Sequence, residues 1–412
     1  MADATLGLFE GYGIEIEYMI ADAESLDVVP VCDWLLTEAA GELTDEYENG
    51  RVAWNNELAL HVVEFKTNGP VASLAGVADD FQANVVEANG LLAGRGLRLL
   101  PGAMHPWLDP ARDVKLWPHG QREIYEAFDR IFDCRGHGWG NLQSMQINLP
   151  FSGDREFAAL HAAVRMVLPL LPALAASSPV VDGRVTGRRD SRIGVYRGNC
   201  ARVPSVTGQI VPEPVPDIAT YEEAVLERIY RDLSPLDPSG ILRHEWVNAR
   251  GAIARFDRMA IEIRVIDSQE HPAADLAIAD LVSGTVRALV EECWAPLADI
   301  AAWPQRDLVR LLALAEEQGD TLVVGDGRFL RCFGARGSSE PVSRLWGRLA
   351  EDLAARGWLA SASESAIEAY LRHGTLAARI VRALPAEPDR ESLRAVYRRL
   401  ADCLAVGHGF VP

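Results

Sequence analysis

Apolar residues alternate with polar ones, or fill short runs, in four segments of the first 270 residues, and this pattern predicts four strands. Turn residues support two of the boundaries, since Asn-Gly-Pro at 68–70 follows the second segment and Ser-Gly-Asp at 152–154 follows the third. The predicted strands are residues 12–20, 58–67, 142–151 and 260–267.

Apolar residues at helical spacing predict helices, and the chain beyond residue 303 is predicted to be almost all helix. The helical segments are 71–92, 157–174, 221–233, 273–294, 307–317, 343–356, 363–384 and 390–404. Residues 177–208 are rich in Gly, Arg and Ser and predict a long loop region. Because strands and helices do not alternate regularly, we expect an α+β fold with a largely antiparallel sheet rather than a doubly wound parallel sheet.

The charge balance limits the classes of partner that the protein is expected to bind. The 412 residues contain 40 Lys and Arg against 59 Asp and Glu, a net charge of −19, and 45 of the acidic residues precede residue 301. So acidic a chain binds nucleic acids and anionic membranes poorly by bulk electrostatics, and we expect neither as a partner. The excess carboxylates either form a solvated surface or line a cavity that binds cations.

The cysteines and the first residues of the sequence indicate where in the cell the protein is expected. None of the six cysteines forms a CxxC pair, which excludes a zinc ribbon or thioredoxin motif and predicts reduced thiols. The first residues lack the basic segment and apolar stretch of a signal peptide. The apolar stretch 166–181 is short and interrupted by prolines, so no membrane span is expected. We therefore expect a cytoplasmic protein.

Two strands carry carboxylates on one face. Glu15 and Glu17 lie two residues apart and share a face, because side chains in a strand alternate. Glu262 and Arg264 share a face of the last strand in the same way. Neighbouring carboxylates repel unless water, arginine or a cation lies between them, so the first pair forms either a solvated face or a divalent-cation site. The second pair is either a structural ion pair or a metal ligand beside a phosphate-binding arginine.

For two further pairs of polar residues, local geometry decides whether their side chains reach a common site. Glu57 and Glu64 are seven residues apart, which puts them on opposite faces of an uninterrupted strand. They reach one site only if a bulge or turn intervenes. Gln146 and Asn148 share a face of the third strand, which is either exposed or faces a ligand.

The loop region concentrates arginine, at positions 184, 188, 189, 192 and 197. Arginine forks bind carboxylates and phosphates, although a solvated basic loop has the same composition. Lysine occurs only twice, at Lys66 and Lys115, so a lysine-based phosphate site has almost no candidates. No Walker P-loop and no GxSxG motif is present, which disfavours P-loop NTPases and nucleophile-elbow hydrolases.

Six pieces of sequence, two of them made of paired segments, occur in order along residues 11–290 and resemble the glutamate–cysteine ligase family 2, the carboxylate–amine ligases. They are GYGIEIEYMI, ELALHVVEFKTNGP, GAMHPW, NLQSMQINLPF, LPALAASSPVVDGR with DSRIGVY, and AIEIRVID with HPAADLAIADL. The resemblance implies a fold like the catalytic domain of glutamine synthetase, with a curved antiparallel sheet forming a funnel and helices on its outer face. It implies a catalytic domain at residues 1–300 and a helical region at 301–412 packed on it.

The resemblance also implies roles for individual residues. Glu262 and Arg264 would be catalytic, with Arg264 near phosphate, and Arg192, Arg188 and Gln146 would bind substrate. Bacterial ligases of this type often have histidine in place of Gln146, whereas QINL is closer to the plant-like QVNL. Metal ligation would fall to Glu15, Glu17, Glu57, Glu64 and Glu262.

The chemistry implied is ATP-dependent amide formation through an acyl phosphate, with ATP as co-substrate and Mg²⁺, or alternatively Mn²⁺, as the metal. The expected substrates are the γ-carboxyl of glutamate and an amine such as cysteine, and formation of a homo-oligomer stays open. Phosphoryl transfer needs positioning and charge neutralisation more than a protein nucleophile, which suits these residues. The alternatives are an amino-acid phosphotransferase on the same fold and a non-catalytic regulator that binds nucleotide or metal.

Overall fold

The computed structural model describes residues 5–412. Its strands are β1 (Gly13–Asp22), β2 (Glu46–Asn49), β3 (Val52–Asn56), β4 (Val62–Thr67), β5 (Leu97–Leu100), β6 (Ser144–Pro150), β7 (Val180–Val181), β8 (Arg184–Val185), β9 (Ala252–Arg255), β10 (Ala260–Asp267), β11 (Val323–Val324) and β12 (Glu340–Pro341). Single turns of 3₁₀ helix lie at Leu168–Leu170, Glu245–Val247 and Gly319–Thr321, and a π-helical turn lies at Glu222–Leu226.

The first ten helices are α1 (Cys32–Ala40), α2 (Val77–Ala93), α3 (Pro110–Asp113), α4 (Arg122–Phe132), α5 (His137–Gly140), α6 (Gly153–Val167), α7 (Leu171–Ala175), α8 (Arg192–Gly198), α9 (Ile218–Tyr221) and α10 (Glu227–Leu233). The others are α11 (Pro272–Val290), α12 (Leu297–Ala301), α13 (Gln305–Gln318), α14 (Gly327–Cys332), α15 (Val342–Ala355), α16 (Ser361–His373), α17 (Leu376–Ala383) and α18 (Arg390–Val406).

Eight strands form one sheet in the order β2–β3–β4–β1–β6–β10–β9, with β5 also paired to β1. All of these pairs are antiparallel. Together with the helical C-terminal region, this confirms the α+β fold class. The central strand β1 sorts its side chains by alternation: Ile14, Ile16 and Tyr18 are fully buried on the back of the sheet, while Glu15 and Glu17 lie on the front.

The back of the sheet is the main hydrophobic core. Helices α2, α6 and α11 pack against the sheet and α11 packs on the other two, so the β-branched and aromatic side chains of the strands lose all contact with water. The ring of Phe65 on β4 stacks on Trp54 with centroids 5.1 Å apart and meets Tyr18 edge-on at 5.5 Å. This packing leaves the front face free to carry polar chemistry.

One apolar helical stretch runs through that core. Residues Gly153–Ala175 are long and apolar enough to cross a membrane by length and composition, the one such stretch within residues 5–412. Of its most apolar window, 94% is buried inside the protein. The stretch therefore has the surroundings of a core helix, which is apolar because it is covered on all sides.

The C-terminal helices pack on the sheet-bearing part of the chain. Helix α13 contacts α7, α15 and α16 contact α11, and α18 contacts α2 and β5. A single cluster of buried apolar side chains runs through both parts. A smaller cluster joins α17 and α18 to the distal end of β1, where Met19 and Ala21 point away from the main core.

A buried glutamate ties α13 to the arginine-rich segment. Glu316 is fully buried, and its carboxylate pairs with the guanidinium groups of Arg197 and Arg188. Its main-chain carbonyl accepts hydrogen bonds from the N–H groups of Arg189, at 3.1 Å, and Asp190, at 3.0 Å. The C-terminal region therefore holds the segment on which Arg192 lies.

Several predicted elements differ in the structure. The predicted helix 157–174 is divided into α6 and α7 by a 3₁₀ turn, and the strands β11 and β12 lie in the region beyond residue 303 that was predicted to be almost all helix. Strand β4 begins only at Val62, because residues 58–61 form a turn closed by the Val62 N–H donating to the Ala59 carbonyl at 2.9 Å. The predicted helix 363–384 is two helices, α16 and α17, broken at Gly374, whose φ of 75° is unfavourable for residues with a Cβ. The predicted loop 177–208 contains helix α8.

Elements that were not predicted from the sequence include the β2–β3 hairpin, α1, α4, β5 and β9. The strands among them have only four or five residues, too few for alternation to be distinctive. Helix α4 did offer a signal, because Ile124, Phe128 and Phe132 recur every four residues.

Candidate active site

The front of the sheet forms the floor of a cleft of about 580 Å³. Strands β1, β4, β6, β9 and β10 supply charged and amide side chains to the floor. The rest of the lining comes from helices α4, α5 and α8, from Leu142 and from the segment 246–249. Its apolar part, on α4, on α5, at Leu142 and at residues 246–247, is called the roof. Sequence-predicted site residues that line the cleft are Glu15, Glu17, Glu57, Glu64, Gln146, Arg192, Glu262 and Arg264.

Three glutamates form a tight cluster at one end of the floor. Glu17 and Glu64 face each other across the β1–β4 pair, and Glu57 joins them because the turn at 58–61 reverses the parity of the chain. One carboxylate oxygen from each lies within 4.8 Å of the others. Among residues 5–412, no lysine, arginine or histidine nitrogen lies within 4 Å of these three carboxylates.

Burial and mutual repulsion raise the pKa of each clustered carboxyl. Burial, together with the charge of Glu57, raises the pKa of Glu17 to about 8. Burial and the charge of Glu15 raise the pKa of Glu57 to about 7, and the same causes hold the pKa of Glu64 well above its usual range. A cluster of oxygen ligands that repel one another in this way fits a hard divalent cation.

The neighbours of the cluster hold its carboxylates in place. Glu17 accepts hydrogen bonds from the main-chain N–H of Ser144 at 2.6 Å and from the Gln146 amide at 3.3 Å. Glu15 lies one step along β1, where it accepts from the Asn148 amide at 3.0 Å and lies 3.4 Å from the guanidinium of Arg258. Glu15 is therefore beside the three-carboxylate cluster rather than part of it.

Glu262 has a different environment on the same face. It is 1% exposed, and its oxygens accept from Arg255 at 2.8 Å and from Arg264 at 2.8 Å. Burial alone would raise the pKa of Glu262, but the two guanidinium groups outweigh burial and lower it. The structure thus contains the ion pair that the sequence offered as one alternative for Glu262 and Arg264.

The structure separates the two arginines expected to bind substrate. Arg192 begins helix α8, is 2% exposed, and donates to Asp267 at 2.6 Å. Arg192 is part of the cleft lining, and its Nη2 is buried with no hydrogen-bond partner among the residues described. Arg188, in contrast, is not part of the cleft lining and lies on the far side of this segment, 3.6 Å from Glu316.

A lysine also reaches the site, although the sequence offered almost no lysine candidates. Lys66 follows Glu64 by two residues on β4, so both side chains lie on the front face. Its Nζ is 2.8 Å from Glu46. Lys66, Glu15 and Arg258 lie at the junction with a second cleft of about 720 Å³ at the ends of β1, β4 and β6, since all three line both clefts.

The roof is apolar and was missed from the sequence. Phe128 on α4 lies 5.1 Å from the ring of Trp139 on α5 and 5.9 Å from that of Trp246. Tyr125 accepts a hydrogen bond from the Asn56 amide at 3.0 Å. The indole N–H of Trp139 is buried without a partner among the described residues. The cleft therefore joins a charged floor to an aromatic roof.

Two known proteins are similar to this chain in sequence. A protein of Archaeoglobus fulgidus without an assigned function is 37% identical over 280 residues, which cover 68% of this chain and 75% of the relative. A Nocardioides protein provisionally named glutamate–cysteine ligase 2-1 is 28% identical over 300 residues, 71% of each chain.

Two solved structures share the fold at low sequence identity. The glutamate–cysteine ligase of Francisella tularensis, in complex with AMP, superposes with a TM-score of 0.61 at 11% identity, over 98% of this chain and 90% of that one. A bifunctional glutathione synthetase from Pasteurella multocida gives a TM-score of 0.52 at 15% identity, over 97% of this chain and 52% of the other.

The family assignment rests on nearly the whole chain. The family model for glutamate–cysteine ligase family 2 matches residues 12–399, which include every residue of the cleft floor and the helices that hold it. This chain belongs to glutamate–cysteine ligase family 2 and is an ATP-dependent carboxylate–amine ligase of that kind.

Proposed function

We propose that this ligase uses ATP to activate the γ-carboxyl of glutamate as an acyl phosphate and couples it to an amine, with cysteine as the first amine to test. One observation carries the proposal: a single cleft holds a cluster of unpaired carboxylates and, near it, a buried arginine with a free guanidinium nitrogen. The cluster suits cation-assisted phosphoryl transfer, and the arginine suits an acidic substrate.

The donor set fits Mg²⁺, or Mn²⁺ as the alternative. Glu17, Glu57 and Glu64 offer oxygen ligands only, and the raised pKa of each, which reflects burial and mutual repulsion, supports a site that a cation would relieve. Glu15, the neighbouring carboxylate, is the fourth candidate ligand. When bound, the cation would neutralise the phosphate oxygens of ATP.

Cationic side chains would place the two anionic substrates. Arg192, held by Asp267, would direct its free Nη2 at a carboxylate of glutamate. Lys66 and Arg258, at the junction of the two clefts, would contact the phosphates of an ATP whose nucleoside lies in the second cleft. The AMP bound to the Francisella ligase supports a nucleotide in this fold.

Glu262 and Arg264 have a defined arrangement for their proposed catalytic role. Glu262 accepts hydrogen bonds from Arg255 and Arg264, and it would have to release one of them before it could bind a metal. These contacts therefore favour a role in which Glu262 holds Arg264 at the cleft. Arg264 would then stabilise negative charge as the acyl group reacts. Gln146, hydrogen-bonded to Glu17, would orient that carboxylate.

The reaction balances without a covalent enzyme intermediate. An oxygen of the substrate carboxylate attacks the γ-phosphorus of ATP, and ADP leaves. The amine nitrogen then attacks the carbonyl carbon, the bond to phosphate breaks, and the nitrogen loses one proton to solvent as the amide forms. The protein supplies position and charge, as is usual in phosphoryl transfer.

The test uses isotope transfer. Glutamate labelled with ¹⁸O in its γ-carboxyl should pass one ¹⁸O to the released phosphate, and hydroxylamine should replace the amine and give a hydroxamate. ADP and phosphate should form together. Release of AMP and pyrophosphate, or of unlabelled phosphate during product formation, would contradict the acyl-phosphate course. If another acid replaces glutamate, the ligase chemistry stands and the substrate assignment fails.

A further inference from the structure

The aromatic roof is the part of the cleft that the proposed reaction has not yet used. Seven side chains of the cleft lining belong to it, and none of them is charged: Ile124, Tyr125, Phe128, Trp139, Leu142, Trp246 and Val247. By contrast, the floor beneath them holds six glutamates and the paired arginines Arg255 and Arg264. The cleft is thus divided by polarity into two halves.

The polar half already accounts for two of the three substrates. ATP requires a cation and positive charge for its phosphates, which the carboxylate cluster, Lys66 and Arg258 provide. The acid requires a guanidinium for a carboxylate, which Arg192 provides. The amine is the third substrate, and the apolar roof is the lining that remains for it.

The charged side chains around the roof decide whether the amine substrate can carry a carboxylate of its own. An amino acid such as cysteine brings an α-carboxylate, whose burial without a cationic partner is costly. Of the other cationic side chains in the cleft, Arg255 and Arg264 are both held by Glu262, and Arg258 lies beside Glu15. The roof itself offers one unpaired donor, the indole N–H of Trp139, which suits a neutral oxygen.

From this division we infer that the amine substrate of this ligase is a monoamine without a carboxylate, whose apolar, aromatic-sized side chain packs on Phe128, Trp139 and Trp246. Aromatic rings at these distances present faces and edges to a flat apolar group. The inference rests on the proposed function, since it names the substrate class for the same site.

The first experiment separates the two proposals. Hydroxylamine is small enough to react without contacting the roof, so hydroxamate formation from glutamate and ATP measures acid activation alone. With activation shown, kcat/KM is compared across phenethylamine, tyramine, isoamylamine, ethanolamine and cysteine. We expect the three apolar amines to exceed cysteine and ethanolamine by about tenfold or more, the discrimination that an apolar pocket provides for added carbon atoms.

Variants connect that preference to the roof. Trp139→Ala should lower the ratio of kcat/KM for phenethylamine to that for hydroxylamine by about tenfold, and Trp246→Leu serves if Trp139→Ala does not fold. Trp139→Phe retains the ring and loses the N–H, so it should reduce tyramine more than phenethylamine. The matched control is Trp34→Ala, which removes an indole from α1, outside the cleft, and should leave every ratio unchanged.

Two results would overturn the inference while leaving the proposed function in place. One is hydroxamate formation accompanied by a preference for cysteine over every apolar amine. The other is an apolar preference that survives both Trp139→Ala and Trp246→Leu. If no acid yields a hydroxamate, the proposed function fails and this inference fails with it.

Discussion

Two regions of the same sheet face use glutamate in opposite ways. Around Glu17 and Glu64, carboxylates lie close together without a cationic partner, and their pKa values are raised. Two strands away, Glu262 is equally buried, but Arg255 and Arg264 hold it and lower its pKa. Residue type, strand face and burial are the same in both regions, so the neighbouring charges decide what each glutamate can do.

The difference has an energetic meaning. Without a cation, the cluster costs free energy, because three carboxyls are held where ionisation is unfavourable. The Glu262 group already contains its counter-charges, so its contribution to stability does not depend on a ligand. The first region is arranged to bind something, and the second is arranged to hold arginines in place.

The largest expected effect is on turnover. Glu64→Gln removes one oxygen ligand and one charge from the cluster, and kcat should fall about a thousandfold, as expected when several kcal/mol of charge stabilisation are lost. The free energy of unfolding without cations should stay the same or rise, because a repulsion is removed. Steady-state kinetics over a range of Mg²⁺ concentrations and urea unfolding measure both.

A matched control exists on the same face of the sheet. Glu48 on β2 is exposed, so Glu48→Gln should change neither kcat nor stability appreciably. Activity of Glu64→Gln within tenfold of the wild type at limiting Mg²⁺ would remove the functional distinction between the two regions.

The second effect is on stability. Glu262→Gln leaves two largely buried guanidinium groups without their shared carboxylate, and the free energy of unfolding should fall by about 3 kcal/mol. Turnover should also fall, because Arg264 loses its fixed position. Urea unfolding of Glu262→Gln beside Glu64→Gln measures the contrast. Equal stability of the two variants would show that the arginines do not depend on Glu262.

A smaller effect separates the two arginines of the 188–192 segment. Arg192→Lys retains the charge but loses the planar fork, so the KM for the acidic substrate should rise about tenfold while the KM for ATP stays constant. Arg188→Lys, outside the cleft, should change either KM by less than about twofold. A parallel rise in both KM values for Arg192→Lys would place this arginine on the nucleotide instead.

The smallest effect is a pH dependence. Folding raises the pKa of Glu57 to about 7 and that of Glu17 to about 8, so the folded state binds protons more tightly than the unfolded chain. Without divalent cations, stability should therefore fall by at least about 1 kcal/mol as the pH rises from 5 to 8. Saturating Mg²⁺ should reverse the fall, since the cation favours the ionised cluster.

Urea unfolding at several pH values, with Mg²⁺ or with a chelator, gives this dependence directly. Glu17→Gln should flatten it, whereas Glu48→Gln should not. A stability that rises between pH 5 and 8 in the chelator would mean that the cluster carboxyls are ionised and stabilised within the protein itself.

Part of this site follows from the sequence alone. Strand alternation predicts that Glu15 and Glu17 share a face, and it states the condition, an intervening turn, under which Glu57 and Glu64 meet. The structure supplies that turn at residues 58–61. Both statements follow from the chain's local geometry, which is why they could be made without a structure.

The rest depends on contacts between distant segments. Glu262 could be placed on a face, but its partner Arg255 lies on β9, a strand too short to predict. The sequence could not separate Arg192 from Arg188, because only Arg192 belongs to helix α8, where it pairs with Asp267, whereas Arg188 precedes the helix and lies 3.6 Å from Glu316. Pairings of this kind are set by tertiary packing rather than by local pattern.

The buried Glu316 limits how modular this protein can be. Any chimera that replaces residues 301–412 must still supply a carboxylate beneath Arg197 and Arg188, because Asp267, at the end of β10, pairs with Arg192 and not with these two arginines. A recombinant of two relatives should therefore fold only where one parent's C-terminal region has a glutamate that pairs with the arginines of the other parent's 188–197 segment. The C-terminal helices and the substrate pocket are thus expected to be inherited together.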